Sequence, residues 1–407
     1  MAAQFHTDVS SLTSSPDVVI VGAGIVGLAS AFFLKQQGLQ VAIVERLPTP
    51  AALTSSRSGE GVRAQWELPH NIAIARRSIE FYRDFEQQLG SRNSTAGYRP
   101  VGYLYASRTS DGAARLHARH GRQVAAGLDD VEYIPGGEAQ KRFPLLSSDV
   151  QAAVFRAADG VVDVSEIVRG YLSAMDVDII LNTDVLQIAR KGDEIAVETT
   201  AGLLSAPTVV LANGARLPAM LAGLDLPLPL KVARSTILRL KTEGIPHDHP
   251  ATIDADLGSF WRPDSGGARI TASFRSTLFV DRFTDDPTPD PDYLAHAIAT
   301  VTPLVPLWKT LAPNISDSHV RNGTFCVSGD GAPVIGPIAD FPGLYVNGAY
   351  GGHGIMMSPD GARRLAQMIV SGEARAGNLF HPSRFADGAM PPAEPMTINT
   401  NDAPKES

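Results

Sequence analysis

Residues 17–46 read DVVIVGAGIVGLASAFFLKQQGLQVAIVER, and this stretch decides the fold. Val18–Val21 is a short β-branched run. Gly22, Gly24 and Gly27 follow at GxGxxG spacing, and the apolar pattern after them predicts a helix over 25–37. A second run, Val41–Val44, leads into Glu45. Strand, glycine turn, helix, strand and closing acid in that order are the fingerprint of a dinucleotide-binding βαβ unit. Gly22 permits the tight turn, Gly24 lets backbone approach a pyrophosphate, and Gly27 lets the helix lie close on the strand. Free N–H groups at the helix start, around Ile25 and Val26, favour negative charge, and Glu45 is placed to hold ribose hydroxyls.

Composition narrows the class. The chain has 407 residues, 44% of them hydrophobic, enough for two or three domains and a large core. A formal charge of −8 with scattered basic residues gives no nucleic-acid groove. Arg115, Arg119 and Arg122, with His117 and His120, read as a solvated helix face. Cys326 is the only cysteine, so no intrachain disulfide is possible, which fits a reducing compartment. The first sixteen residues carry Asp8 and no Lys or Arg, unlike a secretory signal. The long uncharged run from Val18 to Leu34 contains the motif glycines and a strand-to-helix break, so no membrane insertion is expected. The expected location is cytoplasmic, and no metal site is expected.

The expected fold class is α/β, α+β overall: a Rossmann-like nucleotide-binding domain and a discontinuous substrate domain built on an antiparallel sheet. A flexible start (1–16) precedes the first nucleotide-binding segment (17–97). Residues 98–149 share no periodicity with it and open the substrate domain. The segments DVDIILNTDVLQIAR (176–190), DEIAVETTAG (193–202) and APTVVLANGA (206–215) return to the first sheet over 150–225. The stretch LPLPL (226–230) then crosses to strands KVARSTILRL (231–240), GSFWRP (258–263) and ARITASF (268–274), within a second substrate segment of 226–320. Residues 321–385 complete the nucleotide-binding domain, with a helix expected over 358–371. The Pro-rich, polar end, 386–407, is expected to be disordered.

Three glycine-rich stretches (22–27, 55–61 and 348–354) are more than one mononucleotide requires. In each, small residues let backbone approach a ligand, and two of them open helices whose N-termini point at it. The ligand is therefore extended, and FAD is the natural candidate.

Together with TSSRSGEGVR (54–63), DGVVD (159–163), VVLANGA (209–215) and GDGAPVIGPIADFPGLYVNGAYGGHG (329–354), these stretches resemble the FAD-dependent D-amino-acid oxidase superfamily, in its sarcosine oxidase, glycine oxidase and dimethylglycine dehydrogenase branch. The resemblance covers nearly the whole chain. It implies that Gly22, Gly24 and Gly27 face the pyrophosphate, Glu45 and Arg46 the adenosine, and Val185 the adenine. Ser55, Ser56, Arg57, Ser58, Gly61 and Val62 would serve the ribityl chain and flavin edge. Ala212, Asn213 and Gly214 take the second pyrophosphate-side turn, where Asn213 stands in place of the commoner Ala. Gly351, Gly352, His353, Gly354, Ile355 and Met356 would lie along the flavin. The implied reaction moves a hydride from the carbon beside an amine nitrogen to flavin N5, and the imine hydrolyses.

For catalysis the candidates are Arg63 as a stabiliser of anionic flavin, His353 as a shaper of the cofactor, Arg262 as a carboxylate fork or a partner of Asp264, and Tyr350 as a gate on the substrate pocket. The Arg and Lys that hold the substrate carboxylate in sarcosine oxidases correspond here to Trp66 and Met356, which bind no anion. Trp66, Trp261, Tyr350 and Met356 are therefore expected to line a more apolar pocket for a bulkier amine or imino acid. Residues 257–281 contain no Lys to match the one that activates oxygen in that branch, leaving oxygen and another electron acceptor both open. Cys326 is out of register with the flavin-tethering Cys, so FAD is expected to be noncovalent. Two other readings stay open: a flavin-bearing binding or assembly factor without turnover, and an FAD-dependent hydroxy-acid dehydrogenase, which would need a His as base.

Overall fold

The computed structural model describes residues 2–12, 14–273, 278–280, 283–285, 290–373 and 377–395. Seven strands form the first large sheet, in the order Gln4–His6, Asp178–Ile180, Val41–Val44, Val18–Val21, Thr208–Leu211, Leu344–Gly348 and Val334–Pro337. All neighbouring pairs are parallel except the last. The VVIV run is buried on both faces, as a central parallel strand requires. Val18 and Ile20 pack against the helices Ile25–Gln36, Pro69–Arg83 and Gly354–Ser371. Val19 and Val21 join the core beneath a three-stranded sheet of Val185–Lys191, Glu194–Thr199 and Gly202–Ala206.

The second large sheet runs Leu278–Val280, Leu230–Lys241, Gly267–Thr271, Phe260–Asp264, Ala251–Asp254, Tyr103–Ser107, Ala152–Arg156 and Glu132–Pro135. Asp317–Ser328 pairs with Leu230–Lys241 along its whole length. The pairing is antiparallel apart from Ala251–Asp254 beside Tyr103–Ser107. Alternation divides the two faces. Leu104, Leu238, Trp261 and Ile270 pack with Trp308 in one core, whereas Tyr103, Ile253 and Phe260 turn the other way and join the core of the first sheet. The mixed α/β architecture with an antiparallel second sheet is the one the sequence predicts.

The segment boundaries differ from the sequence reading in four places. Ala152–Arg156 belongs to the antiparallel sheet although it falls inside 150–225, because it pairs with Tyr103–Ser107. Asp317–Ser328 straddles the expected boundary at 320 and lies wholly in that sheet. The start, expected to be flexible, contributes the edge strand Gln4–His6, and Ala3 N–H donates to Leu172 C=O at 2.8 Å. Within 386–395, Pro391 and Glu394 are buried against the fold, Glu394 only 3% exposed, while 386–390 are exposed; 396–407, together with Phe274, lie outside the described residues. Among the described residues no helix is long and apolar enough to cross a membrane.

His249 is buried and stacks on Trp261 with ring centroids 4.8 Å apart, and burial pulls its pKa down to about 4. An unfolded imidazole binds a proton below 6.5, the folded one only below about 4, so stability is lost as pH falls through that window. The loss at the bottom of the window is roughly 3 kcal/mol. His249→Phe keeps a ring in the stack and should flatten the fall of Tm between those two pH values; equal slopes for both proteins would refute this.

Candidate functional site

An elongated cavity of about 390 Å³ opens between the two sheets. Gly22, Gly24, Ile25, Val26, Glu45, Arg46, Ala212, Asn213 and Gly214 line it from the parallel sheet and its loops, and Val185 from the start of the three-stranded sheet. Gly351, Gly352, His353, Gly354 and Ile355 add the C-terminal glycine stretch. Arg63, Tyr103, Ile237, Ile253 and Phe260 close it from the antiparallel sheet and the adjoining loop.

Local backbone needs explain the glycines. Gly22 sits at φ 104°, and a Cβ there would come within 2.8 Å of Ala212 C=O. A Cβ on Gly27 would stand 1.9 Å from Gly22 C=O, so the helix Ile25–Gln36 can reach the strand only over a bare Cα. Gly27 thus packs behind the turn and does not line the cavity. Glu45 takes Ala23 N–H at 2.8 Å on one carboxylate oxygen and Leu47 N–H at 2.9 Å on the other, so the closing acid also fixes the glycine turn. Arg46 reaches across to Asp285, one Nη donating at 2.9 Å. Ala51 and Ala349, both on the cavity wall, hold left-handed φ values of 57° and 55°. Such strain in non-glycine residues gathers at functional sites.

The loop from Leu53 to Trp66 divides its labour differently from the sequence reading. Ser55, Arg57 and Ser58 line the cavity, and Ser55 Oγ accepts Ile25 N–H at 3.1 Å. Ser56 is exposed and turns its hydroxyl back to Ala52 and Leu53 C=O. Gly61 and Val62 do not reach the cavity either. They pair with Gly160–Val161 as a two-stranded sheet, and Gly61 lies against the Tyr103 ring.

Arg262 is no carboxylate fork. It is 2% exposed and its guanidinium is spent on Glu60 Oε2 at 2.7 Å, Gly59 C=O at 2.7 Å and Pro263 C=O at 2.9 Å. Asp264 lies 3.5 Å away. Arg269 adds a bond to Ser58 C=O and a second ion pair to Glu60. Two arginines of the antiparallel sheet thus clamp residues 58–60. Burial, then Arg269, lowers the Arg262 pKa to about 10, which leaves it charged at neutral pH.

Trp261 is also absent from the cavity, because strand alternation sends it into the Trp308 core and presents Phe260 in its place. Phe260 stacks with Tyr103, ring centroids 5.9 Å apart. Tyr350 contributes to the wall, but its hydroxyl donates to Asn347 Oδ1 at 2.6 Å inside the core, so it gates nothing. Trp66 and Met356 do not line the cavity. They back Arg63: its guanidinium carbon lies 4.3 Å from the Trp66 ring centroid, and Nη1 is 4.0 Å from Met356 Sδ.

Arg63 itself is buried at the cavity wall, and among the described residues no carboxylate pairs with it. Its Nε has no hydrogen-bond partner. Burial opposes its charge, yet Tyr105, Tyr103, Asp159 and Glu394 around it hold the pKa above the ordinary arginine value. The loop behind it is tied at several points. Asp159 accepts Ala64 N–H, Gln65 donates to Tyr103 C=O, and Arg119 donates to Gln65 C=O at 2.6 Å. Arg119, read from sequence as part of a solvated face, is buried over the Tyr105 ring, and Arg122 pairs with Glu67. Helical charge spacing does not reveal that a loop docks on that face.

His353 meets Trp66 edge-on at 4.7 Å, and burial, then Arg63, pulls its pKa down to about 3. The C-terminal helix starts at Gly354, one turn before the expected Ser358. Pro359, which reads as a helix opener, sits inside it. Proline has no N–H to give the carbonyl four residues back, Ile355. Tyr82, from the helix Pro69–Arg83, donates its hydroxyl to that carbonyl at 2.7 Å. The helix therefore continues through the proline, with its N-terminus at the cavity, and its dipole places partial positive charge there.

Sequence reasoning missed Tyr103, Ile237, Ile253 and Phe260. Period-two alternation was the available signal for Phe260, since Trp261 beside it must face the other way.

Residues 17–368 match the FAD dependent oxidoreductase (DAO) family. Glycine oxidase of Pseudomonas aeruginosa is 26% identical over 383 residues, spanning 91% of this chain and 98% of that protein. Sarcosine oxidase subunit beta of Rhizobium meliloti is 26% identical over 397 residues, spanning 92% and 89%. L-proline dehydrogenase from P. horikoshii has the same fold, with a TM-score of 0.81 at 24% identity over 93% of this chain and all of that one.

The residues fit FAD. The tight Gly22 turn, the unpartnered Asn213 amide and the unpaired Arg63 guanidinium all belong to one continuous cavity wall. A flavin tethered through a thiol does not fit this chain. Cys326 is the only thiol in the chain, and burial pushes its pKa up, away from the reactive thiolate. Acid precipitation of the purified protein should leave yellow flavin in the supernatant, and a coloured, washed pellet would refute the noncovalent attachment.

Proposed function

The chain belongs to the FAD dependent oxidoreductase family, and from that premise we propose that it oxidises the carbon–nitrogen bond of an amine, amino acid or imino acid. When bound, FAD supplies the acceptor for the hydride that leaves the carbon beside the nitrogen; the imine formed then hydrolyses, and the electrons pass on to oxygen or another acceptor. The relatives named glycine oxidase and sarcosine oxidase subunit beta support an amino-acid substrate.

The observation that carries this reading is Arg63, a buried guanidinium on the cavity wall that no carboxylate among the described residues pairs with. Such a charge is costly unless a ligand completes it. It is suited to a substrate carboxylate or to negative charge that develops on the reacting groups. The same charge discourages a protonated amine, as does the water-poor wall of Tyr103, Phe260, Ile237 and Ile253. The nitrogen therefore reacts with its lone pair free, and no side-chain base is needed.

His353 suits this better than the hydroxy-acid reading. With a pKa near 3, its imidazole is neutral at pH 7 but too weak a base to take a hydroxyl proton effectively. Its edge-on packing on Trp66 supports a role in holding the Arg63 and Gly354 surfaces in place. Trp66 and Met356 pack on Arg63 and bind no anion themselves. Arg63 is then the buried cation beside the apolar wall of Tyr103, Phe260, Ile237 and Ile253, which favours an amino or imino acid with an apolar body, or a bulky secondary amine.

Anaerobic mixing with a panel of amines, amino acids, imino acids and hydroxy acids should bleach the flavin absorbance only with the nitrogen compounds, fastest with apolar ones. Arg63→Ala should slow that bleaching about 10²–10³-fold while keeping bound flavin. Bleaching by hydroxy acids alone would overturn the reading, and bleaching by nothing in the panel would favour a binding factor.

A further inference from the structure

The helix Pro69–Arg83 has a poor start of its own. Its N-cap is Leu68, which offers no side-chain acceptor, and its first turn carries no acid. In a capping box, a Glu or Gln at the third helical position reaches back to accept the N-cap N–H. Here that position is Asn71, and the acceptor comes from the far end of the chain. The Glu394 carboxylate takes Leu68 N–H at 3.1 Å, Glu67 N–H at 3.1 and 3.2 Å, and Asn71 Nδ2 at 3.2 Å. At 3% exposure it is buried beneath a segment whose composition reads as disordered.

We propose that residues 386–395 form a strap whose Glu394 caps this helix and thereby sets the position of Arg63, making Glu394 a positioning residue. The inference rests on the reading of Arg63 as the cation of the reaction site. The connection is six residues long, Arg63 to Leu68, and each is held. Arg63 C=O accepts Trp66 Nε1 at 3.2 Å, Ala64 and Gln65 are tied as described above, and Glu67 and Leu68 end on Glu394. Trp66, between the ties, is the surface on which both Arg63 and His353 rest. Without Glu394 two backbone N–H groups lose their acceptor in a buried place, and the loop must shift to recover one. The Trp66 face moves with it. The negative charge of Glu394 also contributes to keeping Arg63 ionised.

The test uses the full-length, flavin-loaded protein and titration with sulfite, an anion that adds to oxidised flavin and reports nearby positive charge without any substrate. Glu394→Ala should weaken sulfite binding about ten-fold and lower kcat more than it changes KM. Glu394→Gln, whose amide oxygen still accepts an N–H, should recover most of both. In an Arg63→Ala background, Glu394→Ala should add little further loss. The strap is purely structural, and the proposal wrong, if Glu394→Ala melts at a lower temperature yet keeps wild-type sulfite affinity and kcat. It is equally wrong if the two substitutions add in full. If Glu394→Ala does not fold, Glu394→Asp, one methylene too short to reach both N–H groups, decides in its place: sulfite affinity weakened two-fold or more, with unchanged flavin content, supports the proposal, and an unchanged affinity overturns it. The sulfite pattern holding while no amine bleaches the flavin would leave the strap standing and remove the proposed reaction.

Discussion

A guanidinium kept away from water, with no carboxylate among the described residues to answer it, is the constraint around which this protein is arranged. Arg63 is the place where folding energy is left unspent, since two aromatic faces, a thioether and several backbone ties hold it but none neutralises it. The other buried arginines near the cavity behave in the opposite way. Arg262 and Arg269 are consumed by Glu60 and by backbone carbonyls, and Arg156 by Asp130 and Asp159. The contrast separates cations that build the site from the one that is left available to a ligand.

The two sheets contribute different things to that site. The parallel sheet supplies turns in which backbone does the binding, so its contribution is decided by glycines and helix starts. The antiparallel sheet supplies side chains on one face, so its contribution is decided by strand parity. The Glu60 clamp joins them: Arg262 and Arg269 project from the second sheet and hold the loop that the first sheet offers.

This difference explains what was legible in the sequence. The glycine turn at Gly22, the acid at Glu45 and the Gly351 to Ile355 stretch could be read because each role is local and imposed by backbone. Arg63 was legible through resemblance and its register after the flavin loop. Phe260 is less legible, because composition favours its larger neighbour Trp261 and only the face each takes on the strand separates them. Arg119 looked solvated because helical spacing cannot show what docks on a face. Glu394 looked disordered because one buried carboxylate does not change the composition of a Pro-rich tail. In each failure the deciding contact joins residues far apart in sequence: Arg119 to Gln65, and Glu394 to Leu68.

The hydroxyl of Tyr82 stands in for the imino hydrogen that Pro359 lacks, so a helix that should break at its second turn is carried through by a donor borrowed from its neighbour. The two positions are therefore a coupled pair of letters. Replacing the proline by a residue with an N–H would make the phenol redundant, while deleting the phenol alone would leave a bare carbonyl beside the cradle. A lineage that drifts at one of these sites is constrained at the other, although neither needs to touch a ligand.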